Sequence, residues 1–378
     1  MASTLMLLAN PYRPDPRVRI EARTLTAAGY RVQVLAWGRD TGKTEMIDEE
    51  GIEIIRVGPV CPFRSAWRMV SSLPRYWMAA LRASRSLQFN LIHSHDLDTL
   101  PLGLCISRLT GKPLIYDGHE LYSAMVKDDV GPMYRPLSIL EHLLVKRADS
   151  VVTVSETLAG ILSRGRGDNA RIVRTSPEVT PVSAEEIVSI RAKYGIGGFV
   201  LGYLGSLEPG RFVEELAGAF APEDGVTVLI AGSGSLQDRV KDAAKQRSNV
   251  VYIGSVSAEE ALRLTAASDL VTAMMDPRNP NNVIGTPGKI LNSMALAKPV
   301  MTNEGLEIAR LVESVGCGVV ARYNRDDFRR SVLESMKNPA RLKEMGENGK
   351  NHFDKHLSWS KSRDELLAAY RLLLGTDQ

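Results

Sequence analysis

The chain has 378 residues, 44% hydrophobic and 24% charged, a composition that excludes a disordered, collagen-like or disulfide-scaffold protein and is enough for two domains of about 150 to 200 residues. Lys and Arg number 47 against 44 Asp and Glu, and a net charge of +3 is too small to coat nucleic acid, so no nucleic-acid partner is expected. Three cysteines, Cys61, Cys105 and Cys317, are far apart with no CxxC pair, which argues against cysteine-zinc or dithiol chemistry and fits a reducing cytoplasm.

In chain order, the apolar run at residues 4–9 has no basic leader and ends at Asn10-Pro11, so it reads as a buried first strand, not a signal peptide. Further short β-branched runs at 31–36, 52–57, 91–93, 113–116 and 150–154 alternate with helical patterns, one of which, 18–28, stops at Gly29. Between Glu53 and Asp96 there is no acid; Arg56, Arg64, Arg68, Arg75, Arg82 and Arg85 are interleaved there with Phe63, Trp67, Met69, Trp77 and Met78. Such a mixture suits a peripheral, salt-sensitive contact with an anionic membrane, or equally an ordinary helix pair with a solvated basic face. No run of about 18 apolar residues is present to span a bilayer.

The strand-helix rhythm repeats at 199–203, 226–231, 250–253, 270–273, 299–302 and 318–320, predicting two doubly wound parallel sheets. A polar, Pro-containing stretch at 175–183 places the boundary near Ser176-Pro177, and a terminal helix is expected at 360–374. In open α/β sheets ligands bind beyond the carboxyl ends of the strands, so the chemistry is sought there.

Three motifs compete for attention. Residues 38–44, Gly-Arg-Asp-Thr-Gly-Lys-Thr, have one residue too few between the glycines for a P-loop, and no apolar helix follows. Gly232-Ser233-Gly234 lacks the third glycine of a dinucleotide fingerprint but reads as a helix N-terminus able to cradle a phosphate or a sugar. His93-Ser94-His95-Asp96 and Asp117-Gly118-His119-Glu120 end two strands. They read as a metal set, as polar helix caps, or as an active-site cluster in which flanking carboxylates tune His119; a barrel hydrolase metal site is set aside because the pattern gives no eight-strand ring.

Several segments together resemble a known family. Asp15-Pro16-Arg17-Val18-Arg19-Ile20-Glu21-Ala22, the two His-containing strand ends, Ala148-Asp149-Ser150-Val151-Val152-Thr153-Val154-Ser155, Leu201-Gly202-Tyr203-Leu204-Gly205-Ser206-Leu207, Gly232-Ser233-Gly234, Ile253-Gly254-Ser255 and Thr286-Pro287-Gly288-Lys289-Ile290-Leu291-Asn292 are similar, in order and spacing, to the retaining, nucleotide-sugar-dependent glycosyltransferases of family 4. The resemblance implies an α/β GT-B fold, two Rossmann-like doubly wound domains facing an interdomain cleft. Residues 1–176 would be the acceptor-side domain, 177–359 the nucleotide-sugar domain, and 360–378 a helix returning to the first domain.

It also implies site residues. His119, with Asp117 and Glu120, falls in the catalytic position, His119 orienting the donor sugar. Gly205, Ser206, Arg211, Gly232, Gly234, Ser255, Thr286, Gly288, Lys289 and Asn292 fall on the donor side, and Arg13, Asp15, Arg17, His95 and Asp96 on the acceptor side. The implied substrate is a UDP- or GDP-linked sugar, with no further cofactor and no metal. The acceptor is a glycan or lipid-linked hydroxyl, and the location is the cytoplasm or the inner membrane face.

A helix at 288–298 would point Lys289, Asn292 and Ser293 away from its apolar side, so that its N-terminus and the lysine neutralise a diphosphate. Two departures from the family pattern stand out. Ser206 stands where an Arg is usual, and Asn292 with Ile284 replaces the usual Glu-x7-Glu pair, leaving Asn281 or Asn282 as substitutes for the missing sugar partner. The competing expectation is a degenerate binding or scaffold protein.

Overall fold

The computed structural model describes residues 1–12, 15–40, 45–61, 66–163 and 170–375. The chain forms two compact α/β units, Met1–Thr175 with Ser360–Gln378, and Ser176–Trp359.

The first unit is built on eight strands: β1 (Ser3–Leu8), β2 (Arg31–Trp37), β3 (Glu45–Glu49), β4 (Ile52–Val57), β5 (Leu91–His95), β6 (Leu114–Gly118), β7 (Ser150–Thr153) and β8 (Ala170–Ile172). Their spatial order is β3-β4-β2-β1-β5-β6-β7-β8, parallel except where β3 runs against β4. All six residues of β1 are buried, as a central strand covered by helices on both faces requires. The sequence pattern misses only the two edge strands, the acid-rich β3 and the three-residue β8, which need pair with one neighbour only. The strand order reverses between β1 and β5, and a switch point of this kind is where open α/β sheets bind ligands, beyond the strands' carboxyl ends.

The terminal helix Trp359–Leu374 packs on this first sheet. Its Tyr370 is fully buried, with the hydroxyl 3.1 Å from Thr4 Oγ1 and 2.9 Å from His93 Nδ1, and the ring edge-on to Tyr30. Tyr370→Phe strands His93 Nδ1 in a dry interior and leaves Thr4 Oγ1 only its long bond to the Leu91 carbonyl, and is expected to cost the first unit about 1 to 3 kcal/mol in urea unfolding. A change below about 0.3 kcal/mol would show that neither bond contributes.

The arginines of the acid-free segment do not share one surface. Arg56 is buried, its Nε donating to the Pro11 carbonyl, whereas Arg68, Arg75, Arg82 and Arg85 are exposed. Helix Ala66–Ser84 turns Tyr76 inward, where its hydroxyl donates to the Leu8 or Leu35 carbonyl, and Trp77 Nε1 donates to the Asp98 carbonyl. Phe63, Arg64 and residues 41–44 of the P-loop-like motif lie outside the described residues, as does the side chain of Trp67. Among the described residues no helix is long and apolar enough to cross a membrane.

The second unit holds β9 (Phe199–Leu204), β10 (Val226–Ala231), β11 (Val250–Gly254), β12 (Leu270–Thr272), β13 (Val300–Asn303) and β14 (Gly318–Ala321), all parallel, in the order β11-β10-β9-β12-β13-β14. Its switch point lies between β9 and β12. One face of the sheet is packed by Tyr203, Phe212, Phe220 and Phe328, the other region of core by Ile290, Met294, Val300 and Phe353.

Candidate functional site

In the first unit, strand register does the assembling. His93 and His95 lie two apart on β5 and so share a face, and β5 pairs with β6 so that His95 stands opposite Asp117. The result gathers three imidazoles on one carboxylate oxygen: Asp117 Oδ2 is 3.4 Å from His93 Nε2, 3.3 Å from His95 Nδ1 and 3.4 Å from His119 Nε2. All four groups are buried, and the His95 and His119 rings are nearly parallel. Glu21 joins them from helix Pro16–Ala27, whose inward stripe is Val18, Glu21, Ala22 and Leu25.

The electrostatics follow from this crowding. Burial opposes charge on Asp117, yet His119, His93 and His95 hold its carboxyl well below the usual range. Burial, reinforced by Asp117, pushes Glu21 well above its usual value, so it is the protonated partner of the two. Burial likewise pushes His93 down to about 4 and His119 down to about 3, leaving both rings neutral. His119 is therefore a neutral imidazole rather than a cation.

The residues expected on the acceptor side divide. Asp15 is committed locally: its Oδ1 accepts from Val18 N as the helix cap and its Oδ2 from Asn10 Nδ2. Arg17 stretches between Asp15 and Asp96 at 3.9 and 4.0 Å, and Asp96 adopts a left-handed φ of 62°, a conformation costly for a residue with a Cβ. Burial raises the Asp96 carboxyl against the opposing pull of Arg17. Glu120 adds its charge to the field on Arg17. Arg13 lies outside the described residues.

In the second unit, the turn after β9 meets the turn after β10 backbone to backbone. A Cβ on Gly232 would lie 1.8 Å from the Gly205 carbonyl oxygen, and one on Gly234 2.4 Å from that of Leu207. The expected phosphate cradle at Gly232-Ser233-Gly234 is therefore corrected. The helix begins only at Gln237, and three of the backbone donors ahead of it are already used, Ser235 N by Glu208 Oε1, Leu236 N by Leu207 O and Gln237 N by Gly234 O. The glycines there serve close packing, and the Glu208 carboxylate makes the place unsuitable for an anion.

Cationic groups collect instead on the Gly205 side. Lys289 Nζ lies 3.5 Å from the centre of the Tyr203 ring and against Gly205, so close that a Cβ there would be 3.2 Å away. Burial, with Arg211 nearby, pushes Lys289 down to about 7. Arg211 Nη1 is 2.8 Å from Met275 Sδ, and Phe212 beside it is held at a φ of 59° by packing on Tyr323 and Phe328. Ser206 is exposed, and its carbonyl accepts from Tyr203 Oη at 2.6 Å.

Helix Gly288–Ala295 begins beside these cations after an N-cap, Pro287, that has no side-chain hydrogen bond to offer, and Thr286 precedes it. Asn292 is partly buried. Ser293, expected beside it on the open side, is instead fully buried with its hydroxyl on the Lys289 carbonyl. Asn281 and Asn282 are also buried, and Asn282 Nδ2 donates to the Asp276 carbonyl, bracing the loop. Ser255 is exposed after β11.

Sequence reasoning passed over Glu21 and Tyr370 as site residues. Glu21 carried a signal, a carboxylate in the middle of an apolar helical stripe, whereas Tyr370 looked like any core aromatic.

Residues 14–178 match the glycosyl transferase 4-like domain family, and residues 198–338 match the glycosyl transferases group 1 family. The chain is a glycosyltransferase of the GT-B fold. Its relatives include the alpha-maltose-1-phosphate synthase of Mycolicibacterium smegmatis, 23% identical over 74% of this chain and 78% of that one. Another is the D-inositol 3-phosphate glycosyltransferase of Gordonia bronchialis, 23% identical over 75% and 66%. Among solved structures, sucrose-phosphate synthase from Thermosynechococcus elongatus superposes with a TM-score of 0.82 at 16% identity, covering 99% of this chain and 100% of that one. Anabaena HepE in complex with UDP-glucose gives 0.76 at 17%, with the same coverage. This glycosyltransferase thus shares its fold with enzymes of widely different names, and its own site must say what it handles.

Proposed function

We propose that this glycosyltransferase moves a sugar from a nucleoside diphosphate to a hydroxyl of a glycan or lipid-linked acceptor, with retention at the anomeric carbon and without a metal on the diphosphate. The observation that carries the reading is the convergence of Arg211, Lys289 and the start of helix Gly288–Ala295 beside the Gly205 turn, at the switch point of the second sheet. Glycosyl transfer leaves growing negative charge on the departing diphosphate, and two cations with a helix N-terminus are the groups that stabilise it. Arg211 adds a permanent, fork-shaped charge where Ser206 supplies none.

In the first unit, His119 Nε2 faces Asp117, which leaves the buried Nδ1, without a hydrogen-bond partner among the described residues, as the ring atom to accept from a sugar hydroxyl that reaches it. In this reading His119 positions the sugar, and the leaving phosphate takes the acceptor proton. The exposed Arg68, Arg75 and Arg82, with Val70 and Met78, support a peripheral contact with an anionic surface when the acceptor is lipid-linked.

The test is calorimetric titration of the full chain with UDP, GDP, ADP and their common sugar conjugates, without added divalent metal. Saturable binding of one base, tighter as the sugar conjugate than as the bare diphosphate, is expected. UDP is the first to try, since HepE was solved with UDP and with UDP-glucose. No binding across the panel overturns the proposal and favours a degenerate scaffold. Asn292→Glu should tighten the conjugate about tenfold by restoring a charge-assisted bond to a ribose hydroxyl. Unchanged affinity removes Asn292 from the ribose.

A further inference from the structure

The buried cluster of the first unit contains more ligand-capable atoms than positioning one imidazole requires. Glu21, His93, His95 and Asp117 each offer an atom, all four atoms lie within 4.8 Å of one another, and all four residues are buried. Both oxygens of Glu21, both oxygens of Asp117, both nitrogens of His95 and Nε2 of His93 lack a hydrogen bond of normal geometry. The neighbouring guanidinium, Arg17, is spent on Asp15 and Asp96. The protonated Glu21 and the neutral imidazoles bring protons to this cluster, yet at 3.3 to 3.4 Å from Asp117 Oδ2 none of the rings makes a well-formed hydrogen bond to it, and native cores avoid that arrangement unless something sits at the centre.

We propose that Glu21, His93, His95 and Asp117 form a binding site for one divalent transition-metal ion of the zinc type. A tetrahedral ion with bonds of about 2.0 to 2.2 Å holds its ligand atoms about 3.3 to 3.5 Å apart. Two of the ligand pairs have that spacing, Asp117 Oδ2 lying 3.4 Å from His93 Nε2 and 3.3 Å from His95 Nδ1, and all four atoms lie within 4.8 Å of one another. Two imidazoles with two carboxylates suit zinc rather than magnesium or calcium, which take oxygen ligands.

The surroundings of a metal ligand are present as well. The Tyr370 hydroxyl, 2.9 Å from His93 Nδ1 and 3.1 Å from Thr4 Oγ1, can accept a hydrogen bond from Nδ1–H and donate its own to Thr4 Oγ1, which turns the bare lone pair of Nε2 toward the cluster. His119 touches the same Asp117 oxygen but is not among the four ligands, so the ion positions it through that carboxylate. The ion is structural, and diphosphate neutralisation stays with Arg211 and Lys289. A His-x-His motif alone, without an eight-strand ring, did not single out this site; Glu21 arriving from another element does.

The test is elemental analysis of the full chain purified without chelator, followed by removal of metal and titration with cobalt(II). The expected result is about one zinc per chain and, on titration, saturable visible absorption of four-coordinate cobalt. His95→Ala and Glu21→Gln should each lower bound metal at least about tenfold, as loss of one ligand in four does. If a variant fails to fold, the wild-type titration decides by itself. Metal below about 0.1 per chain, with no cobalt spectrum, overturns the site and assigns the cluster to a shared proton. The outcome is independent of the nucleotide panel, because metal content is read without any donor.

Discussion

Gly232→Ala is expected to cost the second unit more than about 3 kcal/mol, combining backbone strain with overpacking. The new Cβ would lie 1.8 Å from the Gly205 carbonyl oxygen and 2.9 Å from its carbon, at a φ of +146°. Neither obstacle can yield easily, since the contact is backbone on backbone and Gly205 N is itself tied to the Ala231 carbonyl at 2.9 Å. The turn that carries Lys289 against it must then move, so nucleotide binding should be lost together with stability. Gly288→Ala is the control: a Cβ there meets nothing within 4 Å and its φ is not positive, so a change within about 0.5 kcal/mol is expected. Hydrogen exchange of β9 and β10 reads the second unit apart from the first. Equal protection in Gly232→Ala and wild type would refute the packing argument.

The second large effect is a pH dependence of donor affinity set by Lys289. In the free protein, burial and Arg211 push this amine down to about 7, so it is charged below that pH and neutral above it. A bound diphosphate favours the ammonium and raises its pKa. Binding above pH 7 therefore takes up a proton, and affinity is full below about 7 and falls as pH rises, by up to about tenfold per unit. The sugar conjugate is the right probe, because its diphosphate is a diester with no proton of its own to lose in this range. Affinity should drop about tenfold between pH 6.5 and 8.5, with proton uptake at pH 8 visible as a dependence of the heat on the buffer. Lys289→Arg should flatten the profile, since a guanidinium stays charged throughout. A flat wild-type profile would remove Lys289 from the diphosphate.

Several of these residues were visible in the sequence only as types. His93, His95, Asp117 and His119 are legible as polar residues at the ends of apolar runs, since a doubly wound sheet needs its strands apolar and leaves its carboxyl ends for polar side chains. That three imidazoles reach one oxygen of Asp117 is a matter of register between β5 and β6, and register is set by the whole sheet. The glycines after β10 misled because glycine marks a phosphate loop and a close backbone crossing alike. The crossing partner, Gly205, is 27 residues away and invisible to local spacing.

By itself the sequence determined the alternation of strands and helices, and through its ordered motifs the glycosyltransferase character. Both rest on short-range period and on residue types that the backbone demands locally. Tertiary structure alone decided that Glu21 enters the histidine cluster and that Tyr370 reaches His93 across 277 residues. It also decided that Ser293 is buried while Lys289 lies over a ring. The reason is physical: a side chain's charge and partners depend on which other elements exclude water around it, and that exclusion exists only once distant segments are packed.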